Sequence, residues 1–404
     1  MKTTPYAAAT PRTLTAVSAD GQSLHVEVYG PEGAPAVVLA HGWTCSTDFW
    51  AAQVRDLAAD HRVVVYDQRG HGATPPAAGP SGYSTRALAD DLEAVLTATL
   101  APGEKAVLAG HSMGGMTLMA AASRPALRAH AAAVLLCSTG PSRLVPEALV
   151  LPLRAGALRT RITGAILGAR APLGPVTPVS KAILKYATMG PASAPDRVAE
   201  CARIVHACPR AVRVAWSHVL AGLDLEAGVR ELDVPTVVVA GTADRLTPPV
   251  HARALADALP QCVGLDILPG IGHMTPVEAP EAVTARLREL TAMYLRDAET
   301  SRTAAGPEAE RDRAVPAPRT ETPRDTDITP QAEIKSQAGT TPQTGTKSQA
   351  ETKSQTGTKS QAETKPQNDT KPQAETKPQN DTPHSDLPRT DAPHHEDQTK
   401  EESV

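Results

Sequence analysis

Five short, uninterrupted apolar runs constrain the fold of this 404-residue chain more than any other feature. They are AVVLAHG (36–42), RVVVYD (62–67), KAVLAGHS (105–112), AAAVLLCS (131–138) and PTVVVAG (235–241). A strand with one face in water alternates apolar and polar residues. One that is apolar throughout belongs in a sheet covered on both faces. Helical patterns separate the runs at 48–59, 85–100 and 115–123, and follow the last of them at 249–258 and 277–294. Strand and helix in alternation imply a parallel α/β sheet with right-handed crossovers. Ahead of the series, LHVEVYG (24–30) alternates in polarity, as an exposed antiparallel strand should.

The rhythm breaks between residues 141 and 215, where helical stretches (146–155, 179–186 and 194–208) are interrupted by Pro and Gly and no strand-like run occurs. Such an insertion after a strand reads as a helical cap over the carboxyl edge of the sheet. It carries eleven Lys/Arg against only Glu147, Asp196 and Glu200. These charges read as the solvated faces of amphipathic helices, with attraction of anionic substrates or of a membrane surface as the alternative. Beyond residue 300 there is no Phe, Trp, Tyr, Met or Cys, and lysines recur every six residues from Lys347 to Lys377 in T-K-[SP]-Q-x-x units. So few apolar groups cannot offset chain entropy, and a disordered spacer or solubilising tail is expected, with no partner specified for it. The expected organisation is a core of residues 12–140 and 216–298, a cap at 141–215 and a tail at 299–404.

Charge and cysteine content exclude several classes. Up to residue 300, 26 basic residues balance 26 acidic ones, which leaves no electrostatic footprint for nucleic acid. No run approaches the length of a membrane-spanning helix, and MKTTPYAAATPRT places Thr and Pro where a secretory signal needs apolar residues. Cys45, Cys137, Cys201, Cys208 and Cys262 are odd in number and scattered, unlike a disulfide framework or a zinc cage. A cytoplasmic protein with reduced thiols and no metal is expected. Cys45 reads as packed rather than reactive.

The chemistry centres on Gly110-His111-Ser112-Met113-Gly114-Gly115, between a strand-like run and a helical pattern. This is G-x-S-x-G in the strand–turn–helix context that lifts a serine hydroxyl above a sheet edge, with small neighbours to relieve crowding. A serine needs a base, and the base needs a carboxylate. His273 sits in the Gly-rich loop PGIGHM (269–274), after the apolar run VGLDIL and before the last helix. Asp244 follows the 235–241 run in GTADRLTP, whereas the other strand end, after AAAVLLC, offers only Ser138, Thr139 and Gly140. The order Ser112, Asp244, His273 is that of the α/β hydrolases. For the oxyanion, the backbone N–H of Met113 and that of Trp43, in the loop His41-Gly42-Trp43-Thr44, are the expected donors. Trp43 and His41 are the candidate substrate-contacting residues, with His41 shaping this loop rather than acting as a base.

The motifs HGW (41–43), DQRGHG (67–72), GHSMGG (110–115), GTADRLTPP (241–249) and GIGHM (270–274) together resemble the α/β-hydrolase superfamily. The resemblance is to its capped group of carboxylesterases, cofactor-free haloperoxidases, lactonases and C–C bond hydrolases. It implies an eight-stranded, mostly parallel sheet, a helical lid after the sixth strand, and a structural rather than catalytic role for Asp67 and Arg69. Serine at position 112 argues against the epoxide hydrolase and dehalogenase branches, which resemblance associates with aspartate there. No dinucleotide or Walker A motif occurs, so no cofactor is expected. The expected activity is cleavage of a small, apolar carboxylic ester through an acyl-enzyme on Ser112. Perhydrolase, lactonase, thioesterase or C–C hydrolase activity with the same triad, or a non-catalytic binding role, are the alternatives.

Overall fold

The computed structural model describes residues 10–295. The tail at 299–404, with its hexameric repeat, lies outside them. Eight strands form one sheet: β1 (Arg12–Val17), β2 (Ser23–Tyr29), β3 (Ala36–Ala40), β4 (Arg62–Tyr66), β5 (Ala106–His111), β6 (Ala131–Cys137), β7 (Thr236–Gly241) and β8 (Cys262–Leu268). Their order is β1-β2-β4-β3-β5-β6-β7-β8. The pairs β1/β2 and β2/β4 are antiparallel and all others parallel.

The continuous apolar runs feed two cores. Val38, Val64, Leu108, Val134 and Val238 face one layer, with Leu88, Leu92 and Leu96 of the helix Thr85–Thr99, Met116 of Met113–Ala120 and Leu255 of Pro249–Ala258. Their strand neighbours Val37, Val63, Val107, Leu135 and Val239 face the other, against Val54 and Leu57 of Ala51–Leu57 and Val283 and Leu287 of Pro280–Tyr294. Alternate residues thus enter opposite cores, which is why polarity does not alternate in these strands. The edge strand β8 is less buried, and Val263 and Leu265 stay exposed.

The chain winds outward from β3 in both directions, to β4 on one side and β5 on the other. At such a switch point the loops leaving the two strands diverge, one to each face, and open a crevice at their carboxyl ends. The loop after β3 and the turn after β5 meet there.

A helical insertion leaves the sheet after β6. A bridge between Ser142 and Asp224, with the Leu225 amide donating to the Pro141 carbonyl at 2.8 Å, closes its neck. Its main helices are Ala157–Leu167, Pro178–Thr188, Pro195–Ala207 and Arg210–Ala221. The expected helix at 146–155 is not formed. Only Leu144–Glu147 is helical there, and the Leu149 amide donates instead to the Arg245 carbonyl at 2.7 Å. Pro152, which lacks an N–H and would clash with the preceding turn, breaks that stretch, and the helix starts after Gly156. The boundary expected at 215 falls inside Arg210–Ala221. That helix belongs to both regions, because Trp216 is fully buried against Tyr83 and donates through its indole N–H to the Arg69 carbonyl at 3.0 Å.

Candidate active site

Ser112 caps the helix Met113–Ala120 with φ 51° and ψ −116°, a backbone state costly for any residue with a Cβ. It is held from both sides. Its amide donates to the Cys137 carbonyl at 2.9 Å, and its carbonyl accepts from the Thr139 hydroxyl at 2.7 Å. The small neighbours are required by contact. A Cβ on Gly114 would lie 2.0 Å from the Ala40 carbonyl oxygen, and one on Gly42 would lie 3.1 Å from the Ser112 Cβ. The loop after β3 therefore runs directly alongside the serine.

His273 and Asp244 meet as expected. The His273 Nδ1 lies 2.9 Å from Asp244 Oδ2, and both side chains are buried. Asp244 Oδ1 accepts from the Leu246 and Thr247 amides at 2.8 and 2.9 Å, and its Oδ2 accepts from the Thr247 hydroxyl at 2.9 Å. The carboxylate is thus fixed by its own turn, leaving one lone-pair direction for the imidazole. His273 and Ser112 line one cavity of about 610 Å³, together with Trp43, Leu144, Ile166, Ile183 and Leu220. Among the described residues, Arg213 is its only lining side chain of fixed charge, and no carboxylate lines it.

The structure separates the remaining candidates. Trp43 lines the cavity, with its indole N–H given to the Arg213 carbonyl at 3.1 Å. Met113 opens its helix, where the first amides have no intrahelical partner. His41 does not reach the cavity, contrary to the substrate contact expected of it. It is fully buried, with Nδ1 2.8 Å from the Gly42 carbonyl and Nε2 accepting from the Gln68 amide at 3.0 Å. It braces the loop after β3. The DQRGHG segment supplies the rest of that brace. Gln68 accepts from Thr117 on the helix that follows Ser112 at 2.9 Å, and the Asp67 carboxylate takes the Thr47 and Ala73 amides, both at 2.8 Å. Arg69 is spent on Asp91 and Asp20. Cys45 is buried, which pushes its thiol well above the usual range. It is packed in the core.

Two groups were invisible as functional residues in the sequence. Glu278 Oε2 accepts from the Gly190 amide and Ser193 hydroxyl, both at 2.6 Å, and from the Gly272 amide at 3.2 Å, while Oε1 takes the Met274 amide at 3.1 Å. The N–H groups of both residues flanking His273 therefore end on one carboxylate, and His273's own amide donates to the Thr188 carbonyl of the insertion at 2.7 Å. The Glu278→Gln variant, which puts an amide N–H among these donors, is expected to lower kcat by about 10- to 100-fold through misplacement of the imidazole. An unchanged kcat would assign Glu278 to stability alone. His111 is the second group, stacked on Phe49 and donating from Nε2 to the His273 carbonyl at 2.8 Å. Both depend on contacts between segments far apart in the chain. The one local hint is Glu278's place at the head of the last helical pattern.

Burial keeps three of these imidazoles neutral. It lowers His41 to about 3, with His71 adding repulsion, lowers His71 to about 4, and takes His111 well below its ordinary value. Unfolding would let all three take up protons below about pH 6.5, so stability falls as pH falls from there. Burial raises Asp67 to about 6, so the folded state holds that proton more tightly and offsets one of the three. The urea midpoint at pH 5 is expected to lie below that at pH 7, as the unfolding free energy falls by about 1.4 kcal/mol per pH unit for each uncompensated proton. An equal or higher midpoint at pH 5 would contradict this.

A sheet wound outward from β3, a strained serine turn after β5 and a helical insertion after β6 define a capped α/β hydrolase. The chain belongs to the alpha/beta hydrolase family, whose model matches residues 37–286. It is 33% identical over 254 residues to a putative carbamate hydrolase, RutD, of Variovorax paradoxus, covering 62% of this chain and 89% of that protein. It is 27% identical over 270 residues to the non-heme chloroperoxidase CPO-A1 of Kitasatospora aureofaciens, covering 63% and 90%. Among solved structures it resembles a thermophilic esterase from Thermogutta terrifontis, with TM-score 0.56 and 26% identity over 72% of this chain and 99% of that one. Among the described residues no helix is long and apolar enough to cross a membrane.

Proposed function

We propose that the protein is a serine hydrolase that cleaves carboxylic esters through an acyl-enzyme on Ser112. The observation that carries this reading is the buried Asp244–His273 pair opening on the same cavity as a serine in a strained strand-to-helix turn. Asp244 holds the His273 Nδ1 proton, so Nε2 is free to take the proton of the Ser112 hydroxyl as Oγ attacks the ester carbonyl. The oxyanion is received by the Trp43 and Met113 amides. Collapse expels the alcohol with the proton from Nε2, and water activated by the same nitrogen then releases the acid. The insertion after β6, expected at residues 141–215, acts as the cap, and those of its side chains that line the cavity, Ile166 and Ile183 among them, set the fit of the acyl or alcohol part. The five free thiols suit the reducing cytoplasm.

Turnover of p-nitrophenyl esters of increasing acyl length tests this. Hydrolysis is expected to peak at an acyl chain that fills the cavity and to be lost in Ser112→Ala; full turnover in that variant would overturn the reading. The relative named as a carbamate hydrolase favours a second acyl class, with a carbamate carbonyl as electrophile in the same triad. A matched carbamate and ester compared by kcat/KM decide between them.

A further inference from the structure

The helix Pro178–Thr188 is amphipathic in the wrong sense for a protein surrounded only by water. Val179, Ala182, Ile183 and Tyr186 recur at helical spacing and all face outward, with Val179 and Ile183 68% and 64% exposed. Its other apolar side chains, Leu184 and Ala187, line the catalytic cavity. The helix Ala157–Leu167 behaves likewise, with Leu158 69%, Ile162 37% and Ile166 47% exposed. Ten of the fifteen exposed large apolar side chains among the described residues fall between 149 and 186. A soluble surface scatters such groups singly; concentration on one segment marks a binding face.

Charge says what the face binds. From residue 148 to 195 there is no Asp or Glu, but there are six cations. Arg154, Arg161 and Arg170 are exposed, Lys181 and Lys185 half-buried, and none of the five lies within 4 Å of a carboxylate among the described residues. Apolar side chains flanked by Lys and Arg with no carboxylate partner among the described residues match the boundary of an anionic bilayer, where the former enter the acyl region and the latter meet headgroup phosphates. A protein partner of ordinary surface would present no such uniform negative charge. Ile166, Leu173, Ile183 and Tyr186 belong both to the exposed face and to the cavity wall, so the face leads into the cavity that holds Ser112.

We propose that the outer face of Ala157–Leu167 and Pro178–Thr188 docks on the surface of an anionic lipid bilayer, with the cavity mouth turned toward the lipid. Docking stands apart from the catalytic reading, because it needs neither Ser112 nor turnover.

The experiment is flotation of the full chain with vesicles of phosphatidylcholine alone and of phosphatidylcholine mixed with phosphatidylglycerol. Binding is expected only to the mixed vesicles. It should weaken at high salt, and by roughly a hundredfold when Arg154, Arg161 and Arg170 are all replaced by Gln. Leu158→Ser with Val179→Ser, two positions outside the cavity, is expected to cut binding by about tenfold or more at an unchanged urea midpoint and unchanged hydrolysis of a soluble ester. Failure to float with either vesicle would overturn the proposal, as would equal binding to both. So would concentration-dependent self-association lost in the Leu158/Val179 variant, which would make the face a contact between copies of the chain. If the vesicles bind but no ester is turned over, docking stands and the catalytic reading falls.

Discussion

Replacing Asp244 by asparagine is expected to lower kcat by about 10⁴-fold while leaving the fold intact. The reason lies in how the carboxylate is held. One oxygen is committed to the Leu246 and Thr247 amides and the other to the Thr247 hydroxyl and His273 Nδ1. Asparagine has one acceptor oxygen, and the two backbone amides claim it. Its NH2 then faces Nδ1 as a donor and forces the imidazole proton onto Nε2. That nitrogen can no longer take the Ser112 proton. Esterase assays beside urea unfolding separate this from a folding defect. A loss of activity matched by an equal collapse in stability would mean that Asp244 mainly holds the turn, and unchanged kcat would remove it from the triad.

Gly114→Ala is expected to abolish activity by a different route. The new methyl would stand 2.0 Å from the Ala40 carbonyl oxygen and 2.9 Å from that of His41. These are backbone atoms of β3 and its loop, which no side-chain rotation can clear, so the helix Met113–Ala120 or β3 must shift. A cost of about 3 kcal/mol or more, at the upper end for overpacking, is expected, with the Trp43 and Met113 amides pulled out of register. Urea unfolding and ester turnover read the two effects. An active variant with a native midpoint would contradict the tight approach of β3 to the serine turn. Gly222 provides the comparison, since a Cβ there meets nothing within 4 Å and its φ of −106° suits a residue with a side chain.

What the sequence made legible follows from the range of the forces involved. The apolar runs became β3 to β7 because burial on both faces writes itself into consecutive residues. The serine turn was readable because its neighbours must be small within five positions. Asp244 and His273 were readable because each closes a strand. β1, whose RTLTAV pattern is mostly exposed, carries too little apolar signal to be read as a strand. The insertion's helices were placed less well, since Pro146 and Pro152 could mark either a helix start or a break until the contact of Leu149 with Arg245 decided it. His41 showed only that it lay near the oxyanion loop. Whether its ring faced the cavity or Gln68 depended on packing from 27 residues away. Glu278 joins the histidine loop to residues 190 and 193, and no local pattern encodes such a junction. The outward apolar stripe at 179–186 was readable as a helix, but the side it presented was not, because periodicity gives a face and not its direction.

Reaction with a fluorophosphonate followed by intact mass asks whether Ser112 is the nucleophile. The wild-type protein is expected to gain one phosphonyl adduct, located by peptide mapping on Ser112, and Ser112→Ala none. An adduct that persists in Ser112→Ala, or a wild-type protein that stays unmodified while folded, would contradict the account.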